Sequence, residues 1–333
     1  MFCLNSFGKI GAAVRSAFAT GPVQVDLALP AGGTIGAANA INSSGVMAGW
    51  ATVTGFYQPC KWSVDGTPTV LALPAGATEG SVNAINSSGV AVGYATVTGI
   101  YQPCKWSVDG TPTVLALPAG ATEGALYDIN SSGGMCGNVK VAGVNQPCKW
   151  SVDGTPTVLA LPAGGTEGAL YAMNNSGVAV GYATVTGFYQ PCKWSVDGTP
   201  TVLALAAGAT EGALYAMNSS GGMCGNVKVT GLNQPCKWSV DGTPTVLALP
   251  AGATEGSANA INSSGWMCGN VIVAGAAHAA VWLADGTAID AGTFGLDSAY
   301  FYGINDLGVV VGEKANNDWS VELPIMAVPA TYN

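Results

Sequence analysis

Nine cysteines and a single histidine, His278, are the residues of this chain best suited to nucleophilic, metal-binding or near-neutral acid–base chemistry. Cys60, Cys104, Cys148, Cys192 and Cys236 stand in one recurring pentapeptide, Gln-Pro-Cys-Lys-Trp. Cys136, Cys224 and Cys268 share the string Met-Cys-Gly-Asn, and Cys3 stands apart near the N-terminus. Zinc sites draw on clustered Cys and His, commonly as Cys-x-x-Cys pairs. No such pair occurs, so neither a metal nor another cofactor is expected. The sixth unit reads His-Ala-Ala-Val-Trp there, with Ala280 at the position of the cysteine, which points to a small buried slot and an inert thiol.

Cys136 and Cys148 flank a glycine turn at Ala142-Gly143, as Cys224 and Cys236 flank Thr230-Gly231. A three-residue loop centred on residue 142 or 230 sets the members of each pair opposite one another across a hairpin. Cys136–Cys148 and Cys224–Cys236 disulfides are then within reach if both side chains share a face. By the same count Cys60, Cys104 and Cys192 face Ala48, Val92 and Val180 and are expected reduced and buried. Cys268 faces Ala280. The odd total leaves Cys3 as a candidate interchain thiol.

Two further sets recur. Glu79, Glu123, Glu167, Glu211 and Glu255 are isolated carboxylates 44 residues apart. General acid–base pairs need carboxyl groups within roughly 5 to 10 Å of each other, so these read as loop charges or as a calcium or ligand contact. Aromatic pairs at turn tips, Phe56-Tyr57, Ile100-Tyr101 and Phe188-Tyr189, alternate with Val144-Asn145 and Leu232-Asn233. Tyr57, Tyr101 and Tyr189 could stack on sugar rings or pack within the fold. With one histidine, no nucleophile elbow and no phosphate loop, the residues predict a protein that is not an enzyme.

The elements that position these residues follow from the period. Trp62, Trp106, Trp150, Trp194, Trp238 and Trp282 are 44 residues apart; so are Asn42, Asn86, Asn130, Asn174, Asn218 and Asn262, with Asn305 following after 43. That period marks a solenoid or a propeller. One unit contains "ALYDI" (Ala125 to Ile129), "GMCGNVKV" (Gly134 to Val141), "NQPCKWSV" (Asn145 to Val152) and "TPTVLALP" (Thr155 to Pro162), separated by Asn-Ser-Ser-Gly, Ala-Gly and Asp-Gly turns. Four strands joined by tight turns make a propeller blade. First strands number seven, and Trp319 supplies a seventh third strand. The seventh fourth strand is found only at the N-terminus, as "VQVDLALP" (Val23 to Pro30). The expectation is an all-β, seven-bladed β-propeller over residues 21–333, closed by its N-terminal strand, with residues 1–20 as a short amphipathic arm.

The repeat text "AINSSGVAVGY", followed by a Trp-containing strand, resembles the HAF family of extracellular repeats. "INDLGVVVGE" (Ile304 to Glu313) and "HAAVW" (His278 to Trp282) are the nearest local matches. Five blades depart from the family by carrying Gln-Pro-Cys-Lys-Trp where it has His-Ala-Phe. The resemblance implies a propeller-like, surface-displayed module and supplies no catalytic residues.

Charged residues are only 9% of the chain and the net charge is −9, which argues against nucleic acid or an anionic membrane as partner. No apolar run is long enough to span a bilayer, and "IGAAV" between Lys9 and Arg15 is too short for the core of a secretory signal. Phe7, Ile10, Val14 and Phe18 share one helical face of the arm, the spacing of a segment that docks on another chain. The expected function is display or adhesion within a larger assembly, at an extracellular or virion surface, with the arm as anchor. The alternative is a free multivalent propeller that binds glycans.

Overall fold

The computed structural model describes residues 23–328, and every regular element among them is a strand. The arm residues Cys3, Phe7, Ile10, Val14 and Phe18 lie outside the described residues. Blade 3 is typical: Ala121–Ile129, Met135–Val141, Val144–Trp150 and Pro156–Val158 form one antiparallel sheet in chain order. Six sheets of this kind follow one another along the chain. The seventh joins Ser298–Ile304, Val310–Ala315 and Glu322–Val328 to the N-terminal strand Val23–Asp26. The result is the seven-bladed β-propeller expected from the period, closed where the sequence predicted, with Val23 opposite Val328 and Asp26 opposite Ile325.

Turn chemistry fixes each blade. In blades 1 to 6 the second and third strands meet in a two-residue turn, such as Ala142 (φ 49°) and Gly143 (φ 82°), with both residues left-handed. That turn matches the right-handed twist of the strands it joins. First and second strands meet at Asn-Ser-Ser-Gly, where the Asn42 Oδ1 accepts from the N–H groups of Ser44 and Val46, both at 3.0 Å. This local cap is what the short side chain of Asn does well in a turn. The chain passes between first and second strands within bare backbone contact. A Cβ on Gly137 would lie 2.0 Å from the Ala125 carbonyl oxygen, so only glycine fits.

The outer strands are shorter than the eight residues read from the sequence. Only Pro156–Val158 pairs in blade 3, because Leu159 turns inward to be buried and Ala160 presents its carbonyl to the next blade. There the Trp194 indole N–H donates to it at 2.8 Å. The same bond recurs from Trp62 to Ala28, Trp106 to Ala72, Trp150 to Ala116, Trp238 to Ala204 and Trp282 to Ala248, at 2.7–3.0 Å. These tryptophans are fully buried.

The core therefore lies between blades and not at one centre. Seven apolar clusters fill the seven seams; that between blades 3 and 4 contains Cys136, Leu159, Leu170, Ala179, Cys192 and Trp194. Trp62 of blade 1 donates to Ala28, just beyond the strand that completes blade 7. Leu27 is buried in the same seam. Deleting residues 1–30 should therefore open the ring and lower the melting temperature by roughly 5–10 °C, given the buried Leu and the lost strand. An unchanged melting curve for the truncated protein would show that the clasp does not close the ring.

Candidate functional site

First strands line the axis, and their two ends differ in chemistry. At the Asn-Ser-Ser-Gly end, six of the seven asparagine amides reach the next blade. Asn42 Nδ2 donates to the Asn86 carbonyl (3.1 Å), Asn86 to Asn130 (3.3 Å), Asn130 to Asn174 (3.1 Å), Asn218 to Asn262 (3.0 Å), Asn262 to Asn305 (3.1 Å) and Asn305 back to Asn42 (3.3 Å). This ring borders a cavity of about 280 Å³. These six amides are engaged on both sides, at Oδ1 by their own turn and at Nδ2 by the neighbouring blade, so the ring is a structural fastening. Asp128, alone among the blades in placing a carboxyl at its position, accepts from Ile129 N–H (2.8 Å) and Met173 N–H (2.7 Å). Burial raises its pKa to about 6.

The opposite end, where the two-residue hairpins lie, is chemically varied. A bulge in each first strand leaves one residue out of the ladder: Asn39, Asn83, Tyr127, Tyr171, Tyr215, Asn259 or Tyr302. Tyr127, Tyr171 and Tyr215 meet across blades 3 to 5 at ring distances of 5.4 and 5.7 Å. Outward from this layer, diagonal pairs on the second and third strands match in kind. Trp50 meets Tyr57, Tyr94 meets Tyr101 and Tyr182 meets Tyr189, each with centroids 4.7 Å apart. Asn138 donates to Asn145 at 2.8 Å in blade 3. In blade 7 the pair is Glu313 and Glu322.

The recurring glutamates track this alternation. In blades 3 and 5, Glu123 and Glu211 form ion pairs with Lys140 (2.7 Å) and Lys228 (3.0 Å). In the aromatic blades 2 and 4, Glu79 and Glu167 accept from the hydroxyls of Thr96 (3.4 Å) and Thr184 (3.2 Å). Tyr57, Tyr101 and Tyr189 thus do pack within their blades, and yet 43%, 48% and 48% of their surface stays exposed. Both roles weighed for them are compatible with this geometry.

The cysteines need correcting. In the two-residue turn Val141 pairs with Val144, so Cys136 stands opposite Lys149 and Cys148 opposite Gly137. The same slip separates Cys224 from Cys236. One residue of register sends the two side chains to opposite faces of the sheet. Cys136 enters the seam with blade 4 and Cys148 the seam with blade 2. All eight described cysteines are buried free thiols, Cys60, Cys104 and Cys192 among them as expected. Burial pushes Cys60, Cys104, Cys148, Cys192 and Cys236 up to about 12 and raises Cys136, Cys224 and Cys268 as well. His278 is held by Asp290, Nδ1 to Oδ2 at 2.9 Å.

Sequence reasoning passed over the blade 7 group. Tyr302 donates to Glu313 Oε1 at 2.6 Å, and burial, a hydrogen bond to Glu313 and the charge of Glu313 push Glu322 up to about 8. Tyr300 lies between Tyr302 and Trp319, with ring distances of 6.2 and 6.3 Å and near-parallel planes. The available signal was departure from the repeat: Glu313 and Glu322 occupy the positions of Trp50 and Tyr57 in blade 1.

No protein-family model and no curated protein matches the chain. Solved structures do. A catalytically inactive virginiamycin B lyase from Staphylococcus aureus with quinupristin aligns with TM-score 0.63 and 14% identity, covering 92% of this chain and 99% of its own. An oligogalacturonate lyase in complex with manganese aligns with TM-score 0.62 and 10% identity, over 93% and 98%. Puromycin hydrolase aligns with TM-score 0.60 and 14% identity, over 85% of this chain and 50% of that one. At these identities the likeness shows the fold.

It also corrects the expectation that this chain is not an enzyme, because lyases and a hydrolase are built on the same fold. The scarcity of histidine argued only against imidazole chemistry and did not bear on carboxyl groups. A carboxyl that keeps its proton near neutral pH, as Glu322 does, is a group acid–base chemistry can use.

The thiols give a direct check of the register. An alkylating reagent at pH 8 should leave the eight described cysteines unmodified in the folded protein and modify them after denaturation, since thiolates are the reactive form. A non-reducing peptide map that yields a Cys136–Cys148 or Cys224–Cys236 link would contradict the two-residue turn.

Proposed function

We propose that the hairpin end of the propeller binds glycans at several blades at once. The observation that carries this reading is the repeated aromatic pair of blades 1, 2 and 4, in which an inner ring holds Tyr57, Tyr101 or Tyr189 edge-on or tilted and leaves it half-exposed. A ring fixed by its neighbour offers a flat apolar face to the C–H side of a pyranose at little cost in side-chain entropy. Glu79 and Glu167 lie beside two of these pairs and can accept from sugar hydroxyls.

The net charge of −9 favours neutral or cationic glycans over acidic ones. Equivalent weak sites on one rigid disc reinforce each other when a ligand spans them. The anchoring role expected for residues 1–20 falls outside the described residues, so this reading stands on the ring alone.

Calorimetric titration with neutral oligosaccharides should detect binding. Replacing Tyr57, Tyr101 and Tyr189 together by Ala should weaken it at least about tenfold, as expected from losing roughly 0.5–1.5 kcal/mol per stacking ring. The ring should still fold, melting a few degrees lower at most, because three cross-strand ring pairs are lost while the buried seams are untouched. Unaltered affinity in the triple variant, or no binding across the panel, would remove the proposal.

A further inference from the structure

Blade 7 closes the ring with strands from both ends of the chain, and the carboxyl pair sits at its hairpin end. Glu313 and Glu322 are each more than nine-tenths buried, on neighbouring strands that also hold Ala315 opposite Glu322. Tyr302 donates its phenol hydrogen to Glu313, which leaves the pair room for one further proton between its carboxyls.

The surrounding charges are committed elsewhere. Lys314 points to the other face of the sheet, where it bonds Asp26 at 2.8 Å and the Phe294 carbonyl at 3.4 Å. Asp297 accepts from the Asn317 N–H and Asp318 from the Ser320 N–H. Tyr300 packs on Tyr302 and Trp319. Blade 1, across the seam, carries Ile35 at the position where five other blades carry Glu. No cation among these groups offsets a second negative charge in the pair.

We propose that Glu313 and Glu322 form a proton-dependent latch on the closing blade. One shared proton holds the second and third strands of blade 7 together; its loss in alkaline solution sets two carboxylates against each other. The strand thereby loosened, Glu322–Val328, is the one that carries the Val23–Asp26 clasp. Unlike the other blades, this one is held together by pairing between strands from the two ends of the described chain, so its loosening opens the ring.

The sign of the effect follows from linkage. Glu322 loses its proton near pH 4.5 when unfolded and near pH 8 when folded, so the folded chain binds the extra proton between those values. Stability is fully present below about pH 4.5, declines as pH rises and has lost this contribution above about pH 8. Asp128, raised only to about 6, has completed its own change by pH 7; the buried thiols, raised from 9.0, lower the stability of natural protein and variants alike toward pH 9, so the comparison of natural protein with variant isolates the latch.

The experiment follows thermal unfolding of the full chain from pH 5 to 9, with hydrogen exchange of residues 322–328 measured against the equivalent strand Phe188–Trp194 of blade 4. The melting temperature should fall by roughly 5 °C or more over the whole range. Between pH 7 and 9 the blade 7 strand should lose protection relative to blade 4. Glu322→Gln should hold the protection ratio constant and melt above the natural protein at pH 9, and Glu313→Gln should do the same. A natural protein whose ratio stays constant between pH 7 and 9 would overturn the latch, as would variants that follow its pH dependence. Loss of folding in both variants at pH 5 as well as pH 9 would also overturn it, because a neutral partner is what the latch requires.

Discussion

The indole N–H of each third-strand tryptophan donates to a carbonyl 34 residues earlier, in the link that leaves the preceding blade. A buried donor without a partner costs about 1–3 kcal/mol. A blade therefore cannot bury its tryptophan well until its neighbour is in place, and the neighbour faces the same condition. The asparagine amides repeat this dependence at the other side of the seam. Six of the seven seams are bound in this way, the closing one between blades 7 and 1 among them, which is why the chain lends its first strand to its last blade.

Once closure is secured by positions that scarcely vary, the hairpin end is free to differ from blade to blade. The pairs there are aromatic in blades 1, 2 and 4, amide in blade 3 and acidic in blade 7. Second- and third-strand residues change together because they touch diagonally across one hairpin and each must satisfy the other. The glutamate above the pair changes its partner with them, from Thr96 to Lys140 and back to Thr184. Chemical variety is thus confined to one surface of the disc, with the invariant fastenings at the other end and in the seams.

Blade 7 departs furthest from the repeat and has the most unusual electrostatics. It replaces the aromatic pair by carboxyls, adds the Tyr302–Tyr300–Trp319 row and uses a longer turn from Asn316 to Val321. In an ordinary blade such a pair would strain one seam among seven. Here it sits beside the pairing that joins the two ends of the described residues, so the same repulsion acts on the whole ring.

The 44-residue period, the four strands per unit and the count of seven were all legible in the sequence, because turn residues and alternating apolar positions act locally and repeat. Even the closing strand could be read, since Val-Gln-Val-Asp-Leu-Ala-Leu-Pro matches the text missing from the last blade. The burial of the recurring cysteines followed from Ala280 at the equivalent site. The hairpin register did not follow: whether Ala142-Gly143 sits in a two- or a three-residue loop changes nothing in composition, yet it turns Cys136 and Cys148 to opposite faces. Nor did the sequence join Tyr302, Glu313 and Glu322: each stands at a repeat position, but the two carboxyls differ from what the other blades carry there and are not spaced like a motif. Their meeting depends on a first-strand bulge, a strand offset and burial in a closed seam, and those are decided by how the blades pack.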